Sequence, residues 1–217
     1  GEVIWAEFAS NSQIRDRYYD GNGKKNDLST FAKATYRLND KISLYGDLQL
    51  RFVNYKTSGT NSNRELFVIN EDYYFFNPKA GVTYKVSDNN NFYFSYARAN
   101  REPSRSDFKS NIDIKPEQLN DFELGWRHNS NKFNINSNVY YMLYNEQLAL
   151  TGSINDTGTP IRANTGKSYR LGLEVEAVIR LSHKFTIQPN FTISSNKNQN
   201  TFTSKNGELV MLGKTNI

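Results

Sequence analysis

The sequence predicts an all-β chain, an antiparallel up-and-down meander of long strands forming part of a transmembrane β-barrel. Three observations carry that expectation. Apolar and polar residues alternate with period two in one segment after another. Tight polar turns alternate with long connections, and aromatic residues gather on the apolar face beside the tight turns.

Along the chain, residues 1–26 form a polar segment expected to be loop, and a first, weaker alternation runs from Asp27 to Leu38. In Lys41 to Tyr55, Ile42, Leu44, Gly46, Leu48, Leu50 and Phe52 oppose Ser43, Tyr45, Asp47, Gln49 and Arg51. Phe76, Pro78, Ala80, Val82, Tyr84 and Val86 then alternate with Asn77, Lys79, Thr83 and Lys85, and Asn91 to Ala99 repeats the pattern faintly. Phe122, Leu124 and Trp126 oppose Asp121, Glu123, Gly125 and Arg127. From Phe133, apolar Ile135, Val139, Tyr141 and Leu143 oppose Asn134, Asn136 and Asn138, within one strand expected to span Lys132 to Thr151. Tyr169 to Leu181 sets Leu171, Leu173, Val175, Ala177 and Ile179 against Arg170, Glu174, Glu176 and Arg180. Phe185 to Ile193 is an eighth strand, and a ninth begins near Glu208.

The connections fall into two kinds. Asn39-Asp40, the run from Ser87 to Asn90, Asn129 to Asn131 and Ser182-His183 are short Asn/Asp/Ser turns of the type that closes hairpins. Lys56 to Asn70, Arg101 to Gln118, Thr151 to Pro160 and Asn196 to Gly207 are expected as long loops. Short turns on one rim and long loops on the other describe a membrane β-barrel. Strands beyond the roughly 5 or 6 residues of a soluble sheet agree with it. Tyr36, Tyr84, Phe92, Trp126, Phe133 and Phe185 lie on the apolar face near tight turns, where an interfacial aromatic girdle belongs.

Composition narrows the alternatives. Among 217 residues there are 14 Tyr, 14 Phe and 5 Pro, too many aromatics for a disordered chain. No apolar stretch approaches the roughly 18 residues of a membrane helix. With no Cys, disulfide frameworks, thiolate metal sites and thiol nucleophiles are excluded together. The net charge is +5, but acids are interleaved with the bases, so no nucleic-acid partner is expected. No leader pattern opens the chain, and localisation is not read from it.

The run Phe76-Asn77-Pro78-Lys79-Ala80-Gly81-Val82-Thr83-Tyr84, followed by Phe94 to Ser104 and by Pro116 to Trp126, resembles the barrel of TonB-dependent outer-membrane receptors, and Gly172 to Ala177 resembles the strand that follows. The resemblance extends from Leu28 onward. It implies a larger receptor of about 22 strands around an N-terminal plug, taking up an iron chelate, cobalamin or a glycan with energy from the TonB complex. The expected partners are then outer-membrane lipid, the plug of the parent chain, the TonB complex and a small-molecule or glycan ligand. Residues 1–217 are expected to be an excised section of that barrel, without plug or terminal aromatic strand. An isolated section is expected to close on its apolar face or dimerise. A passive porin or adhesin barrel shares these patterns, and a soluble all-β binding module is a further alternative.

Enzyme chemistry finds weak footing. His128 and His183 both flank tight turns, and no Gly-x-Ser-x-Gly elbow is present. Asp121 with Glu123, and Glu174 with Glu176, are candidate acid/base pairs, but cross-strand charge pairing with Arg127, Arg170 and Arg180 on a wet wall is the simpler expectation. Asp88, and Asp156 beside Asn155, lack calcium-loop spacing, and no metal or other cofactor is expected. Ligand contacts are expected on loops: Arg101, Glu102, Arg105, Asp107 and Phe108 in the most chemically mixed loop, and Tyr18 and Tyr19 in the N-terminal segment.

Overall fold

A computed structural model of the chain describes residues 20–60, 66–110, 113–154, 160–205 and 208–216, with isolated positions 13, 15 and 17 ahead of them. The elements are β1 (Asp20–Arg37), β2 (Ile42–Thr60), β3 (Leu66–Ser87), β4 (Asn90–Arg101), α1 (Arg105–Ser110), β5 (Glu117–Asn129), β6 (Phe133–Asn145), β7 (Leu148–Ile154), β8 (Pro160–Asn164), β9 (Ser168–Ser182), β10 (Phe185–Ile187), β11 (Asn190–Lys205) and β12 (Glu208–Asn216). All pairings are antiparallel, in the order β1-β2-β3-β4-β5-β6-β9-β11-β12, with β10 against β9 and β7 paired with β8 in a separate hairpin. β1 and β12 end the ladder, so the sheet is an open section of barrel wall.

The tight turns are set by side chains that supply backbone partners. Asn39 Oδ1 accepts from the N–H groups of Lys41 and Ile42, both at 2.9 Å, an Asx turn that leads directly into β2. Ser130 Oγ accepts from Phe133 N–H and donates to Phe133 O. The aromatics expected as a girdle align by register: Tyr84 faces Phe92 and Phe92 faces Trp126. Cross-strand ring pairs continue this face away from the turns, with Tyr96 and Phe122 5.1 Å apart and Phe52 and Tyr74 4.9 Å apart.

Four expectations are corrected. Strand β1 begins at Asp20, not Asp27, and its register with β2 runs unbroken from Asp20 opposite Thr60 to Arg37 opposite Ser43. Residues 56–60, 66–70 and 196–205, expected as loop, are also strand. In residues 56–60 and 66–70 the inward row is covered, with Thr57 3% and Ile69 4% exposed, so the lipid-to-water contrast that produces the alternation is lost while the backbone ladder persists. The single strand expected from Lys132 to Thr151 ends at Asn145. Glu146 has φ 52°, Asn164 Nδ2 donates to its carbonyl, and Gln147 exchanges backbone bonds with Thr165 and Gly166, so the chain leaves the wall and β6 pairs β9 directly. The strand expected from Phe185 to Ile193 is interrupted at Gln188-Pro189. Proline has no N–H for the ladder, but its carbonyl still accepts from Ala177.

Register then fixes two faces. Opposite residues share a face, which puts Leu28, Phe52, Tyr74, Leu50, Phe76, Phe94, Leu124, Val139, Leu171, Phe191 and Ile193 on one side, all with large exposed apolar surface apart from Phe52. From Ile42 to Phe52 this band covers ten residue steps, about 34 Å along a strand. At the tilt of about 45° usual for such strands, its height is about 24 Å, close to the roughly 25 Å band of an outer-membrane barrel. The opposite, inner face is mostly polar, with Phe31 of β1 as an exposed exception, and it turns apolar at the loop end of β2 and β3. There Val53, Ile69, Tyr73 and Phe75 are buried together with Phe108, Ile114 and Leu148.

Candidate functional site

The connection between β4 and β5 does not stand away from the wall. It folds back over the inner face of β1, β2 and β3, and Glu102 begins the fold. Its carboxylate accepts from Lys25 Nζ at 2.6 Å and from Arg51 Nη1 and Nη2 at 2.9 and 2.8 Å. Arg51 also forms a two-point contact with Asp27, at 2.9 and 2.6 Å. Four charges from β1, β2 and the loop thus share one network, in the bidentate geometry that makes Arg pairs strong. Burial alone would raise the Glu102 carboxyl, but hydrogen bonds from Lys25 and Arg51 outweigh it, so Glu102 titrates below its ordinary value.

Helix α1 follows, closed by a capping box. Ser104 Oγ accepts from Asp107 N–H at 3.4 Å, while Asp107 Oδ2 accepts from Ser104 N–H at 2.8 Å and from its hydroxyl at 2.7 Å. Phe108, 4% exposed, stacks on Tyr55 with ring centroids 6.0 Å apart. The Arg105 guanidinium lies 5.9 Å from the Phe67 ring and fills the space beside Gly21, where any side chain would collide with it. The β7–β8 hairpin is fastened alongside: Asn164 bridges Lys115 N–H and O at 2.8 and 3.0 Å, Glu117 accepts from Leu148 N–H at 2.8 Å, and buried Ser168 hydrogen-bonds Gln147.

Of the expected ligand residues, the structure therefore brings Glu102, Arg105, Asp107 and Phe108 together at one rim. Asp107 and Phe108 face the loop's own interior, Glu102 is engaged by two cations, and Arg101 is exposed beside Glu117 at 3.4 Å. Tyr18 and Tyr19 lie outside the described residues, as do Asn155 and Asp156. Lys25, Asp27 and Arg51 were not foreseen as site residues, because the partners of Glu102 are 77 and 51 positions away. One signal was available: the wet row of β2 turns apolar at Val53 and Tyr55, as that of β3 does at Tyr73 and Phe75, which calls for a cover.

Beneath the loop the inner wall forms a groove of about 610 Å³ lined by Phe31, Lys33, Asp47, Gln49, Arg51 and Lys79, among others. Lys33 pairs with Asp47 at 3.4 Å. Farther along the wall the expected cross-strand charge pairing is corrected. Among the described residues, no salt bridge joins Arg127, Arg170 or Arg180 to Asp121, Glu123, Glu174 or Glu176. Arg127 instead sits 4.4 Å above the Tyr93 ring and Arg170 5.0 Å from that of Tyr144, using cation–π contacts, while Asp121 and Glu123 hydrogen-bond each other. At the tight-turn rim, Lys85 pairs with Asp88 at 2.7 Å and holds its carboxyl below the ordinary value. His128 bonds Asn90 at 2.9 Å and stacks on Phe133.

This wall has relatives. A family model described as TonB dependent receptor-like, beta-barrel matches residues 4–211. Solved structures with the same fold include the ferric-catecholate import receptor Fiu from E. coli (16% identity, TM-score 0.63, 88% of this chain and 30% of that one) and the copper transporter OprC (15%, 0.70, 81% and 30%). A third is the ferric yersiniabactin uptake receptor FyuA from Yersinia pestis (16%, 0.62, 88% and 33%). The present chain thus spans about a third of the length of each. Among curated protein sequences none matches significantly. The family match covers nearly the whole chain and agrees with its long antiparallel strands, apolar outer face and polar inner face: the chain belongs to the TonB-dependent receptor-like β-barrel family.

Proposed function

We propose that this section forms one wall of an outer-membrane receptor that imports a scarce, bulky nutrient by energy-coupled transport. An iron chelate is the favoured cargo class, ahead of cobalamin or a glycan, because similar structures carry names of iron and copper uptake systems. The observation that carries the reading is the division of labour across one sheet: an outer face greasy enough for lipid, and an inner face rich in charged and amide side chains such as Lys33, Asp47, Gln49, Arg51 and Lys79. The plug of the parent chain is the proposed partner for Asp121, Glu123, Glu174 and Glu176, and TonB acts through that plug.

In this reading the folded loop narrows the outer mouth and presents Arg101 with the outer edges of Glu102 and Arg105 to the ligand. Asp107 and Phe108 hold the loop in shape, and Tyr18 and Tyr19 remain proposed ligand contacts. The test is uptake of a radiolabelled ferric chelate by iron-starved cells with and without the complete receptor, in the presence and absence of TonB. Receptor-dependent uptake that stops without TonB is expected. Receptor-dependent uptake that continues without TonB would replace this proposal with a passive porin.

A further inference from the structure

Lys24 on β1 and Lys56 on β2 are direct register partners, so two ammonium groups stand opposite each other on one face. Like charges so placed repel. Both are exposed, and neither has an ion pair or hydrogen-bond partner among the described residues. Even-numbered positions of β1 and β2 belong to the apolar, outward face. Going up from the membrane, Leu28 and Phe52 are followed by the amide pair Asn26–Asn54 and then by the two lysines. Asp72, the acid nearest this pair on the same face, accepts from Asn54 Nδ2 at 2.6 Å.

The same border carries cations on other strands. Arg98 is the first outward residue beyond Tyr96 on β4, and its Nε is shielded from water without a protein partner. Lys197 on β11 faces Tyr169 at the corresponding edge of the band. At the tight-turn border, by contrast, the outward strand positions are Tyr36, Ile42, Phe92, Trp126, His128 and Leu181, with no Lys or Arg among the described strand residues. The cations therefore mark the loop-side border alone.

We infer that Lys24 and Lys56 grip the phosphate-bearing headgroup of a lipid in the outer leaflet, with Arg98 and Lys197 extending the same anionic collar around the wall. A lipid fits better than a free anion because greasy surface lies directly below: Leu28 is 70% and Tyr74 78% exposed, and Lys24 stands four residues above Leu28, about 13 Å along a strand. Lysine stems lie along apolar surface while the ammonium reaches phosphate, and each cation at an anionic lipid surface adds attraction. The inference rests on the proposed placement of this face in a bilayer.

The test uses the complete receptor carrying this section, reconstituted in phosphatidylcholine vesicles with or without a minority of diphosphorylated glycolipid, then extracted in mild detergent and assayed for bound lipid phosphorus. Protein with Lys24→Gln and Lys56→Gln is compared with wild type and with Lys132→Gln plus Lys184→Gln, which removes the same charge at the opposite rim. Wild type and the control pair are expected to retain the glycolipid, and the Lys24/Lys56 pair to bind it roughly tenfold more weakly. Equal retention by all three proteins would overturn the inference, as would equal loss in the control pair. Displacement of the lipid by inorganic phosphate at matched phosphate concentration would overturn the lipid assignment. Protease protection in vesicles is read in parallel: if wild type does not insert, the bilayer placement fails instead.

Discussion

Tyr93 on β4 covers its register partner Gly125 on β5, and the Arg127 guanidinium lies over the same ring, 4.4 Å from its centroid. The pair explains why a glycine interrupts an otherwise well-formed strand: a Cβ at 125 would collide with the ring. Tyr140 covers Gly172 in the same way between β6 and β9. Each aromatic restores packing that the glycine gives up.

Gly125→Ala should therefore destabilise the barrel by about 1–3 kcal/mol through overpacking, read by urea unfolding of the complete receptor in micelles. In a Tyr93→Ala background the same change should cost close to nothing. Additive effects would show that the ring and the glycine are not coupled.

Glu102 gives a pH prediction with a definite sign. Its carboxyl is held below the ordinary value of 4.5 by Lys25 and Arg51, so its contribution is present above that value and lost as pH falls through the lower folded-state value. Hydrogen exchange of residues 102–110 should accelerate on acidification below about pH 4.5 relative to strands β5 and β6. Glu102→Gln should exchange faster at neutral pH and lose most of that pH dependence. An unchanged profile in the variant would assign the acid sensitivity to another group.

Phe108→Ala removes the buried ring that seats α1. Such truncations cost about 3–5 kcal/mol in a core, and here the loss should be local: the amides of Asp107 and Phe108, which donate to Ser104, should lose protection while β2 and β3 keep theirs. Ser104→Ala should have a smaller effect, about 1 kcal/mol, from loss of the cap. Simultaneous loss of protection across the sheet would mean that the loop and the wall unfold as one unit.

Trp126 offers an optical test of membrane placement. In the complete receptor with every other Trp replaced by Phe, the Trp126 indole, on the outward row beside the tight-turn rim, should be quenched more by lipids brominated near the glycerol than by lipids brominated at the chain ends. Stronger quenching from the chain ends would place the girdle at the wrong depth.

Residues 1–217 in isolation should self-associate in plain buffer. The outward face carries Leu48, Leu50, Leu124, Phe191 and Ile193, all more than half exposed, and both edges of the sheet are open. Sedimentation showing a single monomeric species without detergent would contradict this.

The wall was legible in the sequence because lipid on one side and water on the other impose a strict period of two, as Tyr169 to Leu181 displays. Where that contrast ends, the signal ends. Lys56 and Asn70 face each other in a regular ladder, but this outward pair is polar while the neighbouring inward residues Thr57 and Ile69 are buried beneath the loop, so the usual contrast is missing and they read as loop. The break after Asn145 was hidden for a different reason. Leu148 and Leu150 continue the apolar look of β6, yet Leu148 is buried in the loop core and, among the described residues, β7 pairs with β8 and not with the wall. The loop core itself depends on contacts between distant positions, such as Phe108 with Tyr55 and Glu102 with Lys25, which no local pattern encodes.

The detour through β7 and β8 has a consequence for how such a protein diversifies. Tyr144 and Ser168 are already opposite each other where β6 and β9 meet, so the residues between them form a cassette whose two ends sit side by side. The cassette can be lengthened, exchanged or trimmed to a short turn while every rung of the ladder on either side keeps its partner, and a new binding surface can thereby be grafted onto an old wall in a single step.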